Sequence, residues 1–175
     1  MKKFVSLLLT MLMVLSLVAC GGDGGQSNTN SGDKVIKIGV FEPLSGDSAS
    51  GGKKEVLGMQ YANSETPTVE LNGETYKVEL VLSDNGSSTD KAPSAASDLV
   101  SKGVSLVLGT YGSGAAMAGG PKFGEAGIAA IGVTCTNPNV TAGNDYYFRI
   151  CFLDNFQSAV LSNFAKDKFA AKTAY

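Results

Sequence analysis

Two short loops hold the side chains best suited to chemistry. Gly109-Thr110-Tyr111-Gly112-Ser113-Gly114 follows an apolar run and opens a helix-like stretch. A helix starting there leaves its first backbone N–H groups without partners and brings the positive end of its dipole to the same place, which suits a carboxylate or a phosphate. The segment is not a P-loop, because no Gly-Lys-Ser/Thr follows, and not a dinucleotide fingerprint, because Met117 stands where the third glycine belongs. Nor does it have the Gly-x-Ser-x-Gly frame of a hydrolase elbow, since Tyr111 and Ala115 occupy the outer positions. A tight turn capped by Ser113 is the plain structural alternative. The second loop, Thr134-Cys135-Thr136-Asn137-Pro138, comes after another apolar run. Its hydroxyls and irregular carbonyls offer the acceptors an ammonium group needs. Taken alone, it reads equally well as a polar turn before Pro138.

Composition narrows the chemistry. The chain has no His, which removes the conventional Ser-His and Cys-His nucleophile pairs and any imidazole metal site. Tyr, Lys and carboxylates remain, so catalysis is disfavoured rather than excluded, and neither a cofactor nor a metal is expected. Fourteen basic residues stand against sixteen acidic ones with no cluster of either sign, which argues against nucleic acid as a partner. Besides Cys20 there are Cys135 and Cys151, an even pair between which a disulfide is permitted if the chain is exported. The alternative is two small thiols packing as hydrophobes, since sequence gives no distance between them.

The elements that must position these loops alternate in type. Val35 to Phe41 is a β-branched, mostly apolar run ended by Pro43 and Gly46, and Gly52 to Asn63 has helical spacing of Val56, Met59 and Ala62. Thr68–Leu71 and Tyr76–Leu82 flank Asn72-Gly73, a strong hairpin signal. Thr89 is placed to cap a helix running to Ser101, and Val104–Leu108 reads as a buried strand. A helix from about Ser113 to Ala126, a strand over Gly127–Ile131, a further strand over Tyr146–Ile150, and a helix capped by Asp154 and running to Ala171 complete the series. Strands alternating with helices predict an α/β fold: right-handed βαβ units forming a parallel sheet flanked by helices on both faces. Ligands of such sheets lie beyond the carboxyl ends of the strands, where both loops fall.

The start of the chain points to export. Met1-Lys2-Lys3 precedes an apolar run from Phe4 to Val18, about the length of a signal-peptide core and short for a membrane span. Leu17-Val18-Ala19-Cys20 looks like a bacterial lipobox, which implies a signal peptide over residues 1–19, a lipid on Cys20, and anchoring to the outer face of the bacterial cell membrane. An ordinary secretory signal is the alternative. A single acyl chain binds membranes only marginally, so the diacylglyceryl group that the resemblance to lipoproteins implies would meet the need for two. Residues 20–34 continue as a Gly, Ser and Asn-rich stretch that reads as a flexible linker. At the other end, Lys172-Thr173-Ala174-Tyr175 reads as the approach to another strand, so the sequence is expected to continue beyond it.

One series of residues carries a wider resemblance: Ile36 to Val40, Pro43-Leu44-Ser45-Gly46, Gly52, Gly58, Ala62, Asp84, Gly109, Ser113, Gly127-Ile128, Thr136-Asn137-Pro138 and Arg149. In order and with few gaps, it resembles the leucine/isoleucine/valine-binding proteins of ABC importers. The resemblance implies a two-lobed type I periplasmic-binding-protein-like fold, with residues 35–175 as the first lobe and the second lobe absent. It implies that Ser113 holds an amino acid's α-carboxylate through backbone and hydroxyl, and that Thr134 and Thr136 contact the ammonium and carboxylate groups. Tyr111 and Gly112 line the same site. For partners and role, the resemblance implies an amino acid ligand, a membrane permease and no enzymatic step. Amides, urea, aromatic acids, or a ligand-sensing receptor role are the neighbouring alternatives. The sequence departs from the family twice: Gly51 replaces an aromatic that packs on the ligand side chain, and Ser87 and Gly112 replace the family's disulfide. Tyr111 is a candidate to refill the space left at Gly51.

Overall fold

The computed structural model describes residues 34–173. The signal peptide, Cys20 and nearly all of the linker expected from sequence lie outside these residues. Among the described residues, no helix is long and apolar enough to cross a membrane.

Six strands form one sheet in the order β2-β3-β1-β4-β5-β6. They are β1 Val35–Glu42, β2 Thr68–Leu71, β3 Glu74–Asp84, β4 Leu106–Leu108, β5 Ala129–Gly132 and β6 Tyr147–Arg149. All neighbours run parallel except β2 and β3. That pair is the hairpin signalled by Asn72-Gly73, whose φ angles of 54° and 79° are both positive. Two successive positive φ values fit a type I′ turn, which Asn-Gly tolerates and which matches strand twist.

Helix α1 (Ala49–Glu65) covers one face of the sheet, against β1 and β3. Helices α2 (Ala92–Ser101) and α3 (Ser113–Glu125) cover the other, packed on each other and against β1, β3, β5 and β6. The core lies under α2 and α3 and contains Phe41, Leu99, Val107, Phe123, Ala130 and Tyr147. Phe41 and Phe123 meet edge to face with ring centroids 5.4 Å apart, a favoured aromatic geometry. On the α1 face, an apolar groove of about 600 Å³ runs along Ile38, Leu80, Leu108, Ile131 and Ile150. This groove lies along the sheet face rather than at the loops beyond the strand ends.

Several local expectations are corrected. Thr89 does not cap α2; Ser88 does the equivalent work one residue earlier, its hydroxyl accepting from the Asp90 and Lys91 amides to form a turn that leads into Ala92. Asp154 does not cap the last helix, α4 (Asp154–Phe169), whose N-cap position is Leu153 and makes no side-chain capping bond. The strand expected from Val104 shortens to β4, although Val104 itself is buried in the core. Helix α4 has no buried residue and exposes Phe156, Leu161 and Phe164. Cys135 and Cys151 are free thiols, not a disulfide. The packing alternative holds for Cys135, which is fully buried and whose thiol burial pushes up to about 11.

Candidate functional site

The carboxyl ends of β1, β3, β4 and β5 carry loops that are bonded to one another. Asp84 closes β3 and gathers the loop after β1. Its carboxylate accepts from the Leu44 and Ser45 amides at 2.7 and 3.2 Å, from the Ser45 hydroxyl at 2.6 Å, and from the Gly86 amide at 2.8 Å. Burial pushes its acidity one way, but these donors outweigh it and hold the carboxyl below its ordinary range. Ser87, at one of the two positions lacking the family's cysteines, donates to the Ser45 carbonyl and accepts from the Ser48 amide. These bonds tie Ser87 to the loop after β1, not to Gly112, the position to which the family resemblance would tie it by a disulfide.

The 109–112 loop is fixed from three sides. Asn85 donates to the Thr110 hydroxyl at 2.7 Å, Tyr147 donates to the Gly109 carbonyl at 2.9 Å, and the Tyr111 amide donates to Glu42 at 2.7 Å. Gly109 must be glycine at this crossing, because a Cβ would collide with the Phe41 carbonyl oxygen and fall 2.8 Å from Glu42 Oε1. Tyr111 turns its ring over Gly51, where a Cβ would stand 2.6 Å from ring atoms. The space left by the missing aromatic is thus occupied by Tyr111, which stays 40% exposed.

Gly112 is the N-cap of α3, with φ 107°, and Ser113 is its first residue. Ser113 is not a cap: its hydroxyl accepts from the Asn137 amide at 3.1 Å, bridging the two loops picked out from the sequence. A hydroxyl that accepts one bond still has its proton to give. The first amides of α3 point the same way, because the helix ladder begins only with Ala116 N–H donating to Gly112.

The second loop is shaped by two residues that sequence reasoning left without a role. Arg149 on β6 donates to the carbonyls of Cys135, Asn137 and Pro138 and to the Thr141 hydroxyl, at 2.8–3.1 Å. Glu55 on α1 accepts the Thr134 hydroxyl proton at 2.5 Å. Thr134 is exposed, and with its proton committed it presents lone pairs outward. Thr136 uses its carbonyl to accept from the Asp154 amide, while its hydroxyl makes no bond among the described residues. Glu42, fully buried at the end of β1, was also missed. Burial, a hydrogen bond with Glu55 and the charge of Glu55 raise its carboxyl to about 9, against the lowering effect of the Tyr111 amide. A carboxylate directly before Pro43, in a strand otherwise apolar at its end, was the one available signal.

Ser113 and the α3 terminus thus offer donors, and Thr134, in the loop that Ser113 is bonded to, offers acceptors. Residues 35–175 match the family described as periplasmic binding protein. The chain belongs to the periplasmic binding protein family. Its structure is part of one lobe of the type I fold of that family, a family of substrate-binding rather than catalytic proteins. It is similar to a Leu/Ile/Val-binding protein homolog of Brucella melitensis, 31% identical over 166 residues that cover 91% of this chain and 44% of the relative. Among solved structures it is similar to the leucine-binding protein LivK of Thermotoga maritima, with 34% identity and a TM-score of 0.73 over 79% of this chain and 39% of that one. It is likewise similar to LivJ of Streptococcus pneumoniae, a branched-chain amino acid transporter substrate-binding protein in complex with isoleucine, with 34% identity and a TM-score of 0.71 over 79% and 40% of the two chains. The chain spans less than half the length of these relatives.

Proposed function

We propose that the chain is the ligand-contacting part of an extracytoplasmic receptor for an aliphatic amino acid, which hands its ligand to the membrane permease of an ABC importer. The observation that carries this reading is the opposed polarity of two like side chains. Ser113 keeps a hydrogen-bond donor free beside the free amides of α3, whereas Thr134 commits its O–H to a hydrogen bond with Glu55 and leaves only lone pairs for a ligand. An α-carboxylate fits the first and an α-ammonium the second, and Thr136, whose hydroxyl makes no bond among the described residues, is able to serve either. Tyr111 over Gly51 gives the ligand side chain an aromatic wall. Relatives that bind leucine or isoleucine support the same class. Lipidation of Cys20 would keep the receptor near its permease, on a linker that sets its reach.

Closure of a second lobe on the bound amino acid completes the reading, since contacts made only in the closed state bias a hinge equilibrium. Calorimetric titration of the full-length protein with leucine, isoleucine and valine tests it: saturable binding of at least one is expected. Binding only of ligands without an α-amino acid head, such as urea, amides or aromatic acids, would overturn it. Gel analysis of metabolically labelled protein, with Cys20→Ser as control, tests the lipid.

A further inference from the structure

A pair of acids stands directly behind the site. Glu42 Oε1 and Glu55 Oε2 are both buried and neither has a hydrogen-bond partner, and the two acids lie close enough for Glu55 to raise the Glu42 carboxyl. Two carboxylates are acceptors only, so a bond between them requires a proton on one. Their other oxygens are occupied, Glu42 Oε2 by the Tyr111 amide and Glu55 Oε1 by the Thr134 hydroxyl. Neither acid is ion-paired to a Lys or Arg among the described residues. The nearby Arg149 spends its donors on the Cys135, Asn137 and Pro138 carbonyls and the Thr141 hydroxyl.

We propose that Glu42 and Glu55 share one proton, leaving a single negative charge behind Thr134, and that this charge selects ligands bearing an ammonium group over acids that lack one. The inference rests on the amino-acid reading above and deepens it by naming what enforces the ligand's charge pattern. The proton count comes from chemistry: with none shared, fully buried Glu42 would hold a charge directly against the partly buried Glu55 carboxylate, which one proton between them relieves. The pair also sets the polarity of Thr134, because a hydroxyl that donates to an anion has its O–H committed and leaves only lone pairs for the ligand. Tyr147 on β6 and Cys135 after β5 face the same corner and stay neutral near pH 7, since burial raises both. The negative charge in this corner therefore belongs to the acid pair, while the positive charge of Arg149 is bound to the 135–141 loop rather than to either acid.

The test compares leucine with 4-methylpentanoate, the same skeleton without its ammonium group, by competition binding to the full-length protein at pH 7. Wild type should prefer leucine strongly. The double variant Glu42→Gln, Glu55→Gln keeps the shape and the bonds but removes the charge, and the preference should fall roughly tenfold, the scale of a lost charge-assisted bond. Thr134→Val leaves the acids intact and should lower the preference in the same direction. If the variants weaken both ligands equally, the pair is only structural and the proposal is overturned. Equal binding of the two ligands by wild type would overturn it as well. If wild type binds no amino acid, the functional reading itself falls; if it binds leucine but the ratio does not move, only this inference falls. Melting curves show whether the double variant folds, and where it does not, Thr134→Val decides.

Discussion

Replacing Ser113 by alanine separates two jobs of one hydroxyl. Within the lobe the hydroxyl accepts a single bond, from the partly buried Asn137 amide at 3.1 Å. Losing it should cost about 0.5–1.5 kcal/mol. For a chain of this size that is a fall in melting temperature of about 2–5 °C. The hydroxyl proton is uncommitted, and on the proposed reading it donates to the ligand carboxylate. That bond is charge-assisted and worth about 1.5–3 kcal/mol, so leucine affinity in the full-length protein should fall tenfold to somewhat over a hundredfold. Calorimetry gives the second number and a circular dichroism melt the first. Ser113→Thr, which keeps the hydroxyl, should recover most of both. Unchanged leucine affinity in Ser113→Ala would refute the carboxylate assignment, whatever the melt shows. An affinity loss with no change in melting would instead show that the bond to Asn137 contributes nothing to holding the two loops.

The packing and the charges give three further outcomes. Gly119→Ala should destabilise by about 1–3 kcal/mol despite the better helix propensity of alanine, because the new Cβ would stand 2.6 Å from Phe41 Cζ and 3.1 Å from the Ala92 carbonyl oxygen; a urea midpoint that is unchanged or higher would contradict this. Arg149→Lys removes the planar fork that reaches the Cys135, Asn137 and Pro138 carbonyls and the Thr141 hydroxyl, so amide exchange at Asn139 and Val140 should accelerate by tenfold or more, on the order of one lost charged bond; unaltered exchange there would show the loop is held by other means. The raised Glu42 carboxyl keeps its proton in the folded chain where the unfolded chain, with its ordinary value of 4.5, has lost it. Its contribution is therefore complete below about pH 4.5 and is lost as pH climbs toward about 9, while Asp84, held low, works in the opposite sense and loses its contribution as pH falls below its ordinary 3.8. The melting temperature should peak in the mildly acidic range and decline toward pH 9, and Glu42→Gln should flatten that alkaline limb; an equally steep decline in the variant would refute the assignment to Glu42.

Most of the fold was legible because its signals are local. The Asn72-Gly73 turn demands two positive φ values that few other pairs accept, and the apolar runs over Val35–Phe41 and Val104–Leu108 have few alternatives to buried strands. Helix starts were less legible, since several residues near each start could bond the first turn. Ser88 and Thr89 are adjacent and chemically alike, and only the path of the chain decides that Ser88 takes the Asp90 and Lys91 amides. A disulfide between Cys135 and Cys151 could not be judged for the same reason: bonding depends on a distance that sequence does not contain.

The site shows where sequence reading stops. Ser113 and Thr134 are both hydroxyl residues in loops after strands, and nothing in their types says that one should give a proton to a ligand and the other accept one. The difference is made by partners distant in the chain, Asn137 for Ser113 and Glu55 for Thr134, the latter 79 residues away. Glu55 by itself reads as an ordinary polar residue of an amphipathic helix, and Glu42 as an odd end to an apolar strand. Only the fold brings them together, and only the two unpartnered buried oxygens indicate that a proton belongs between them. A hydroxyl's role depends on where its proton goes. In this lobe that is settled at the junction of β1, α1 and the two loops, so changes at Glu42 or Glu55, neither proposed to touch the ligand, should alter which ligands Thr134 accepts.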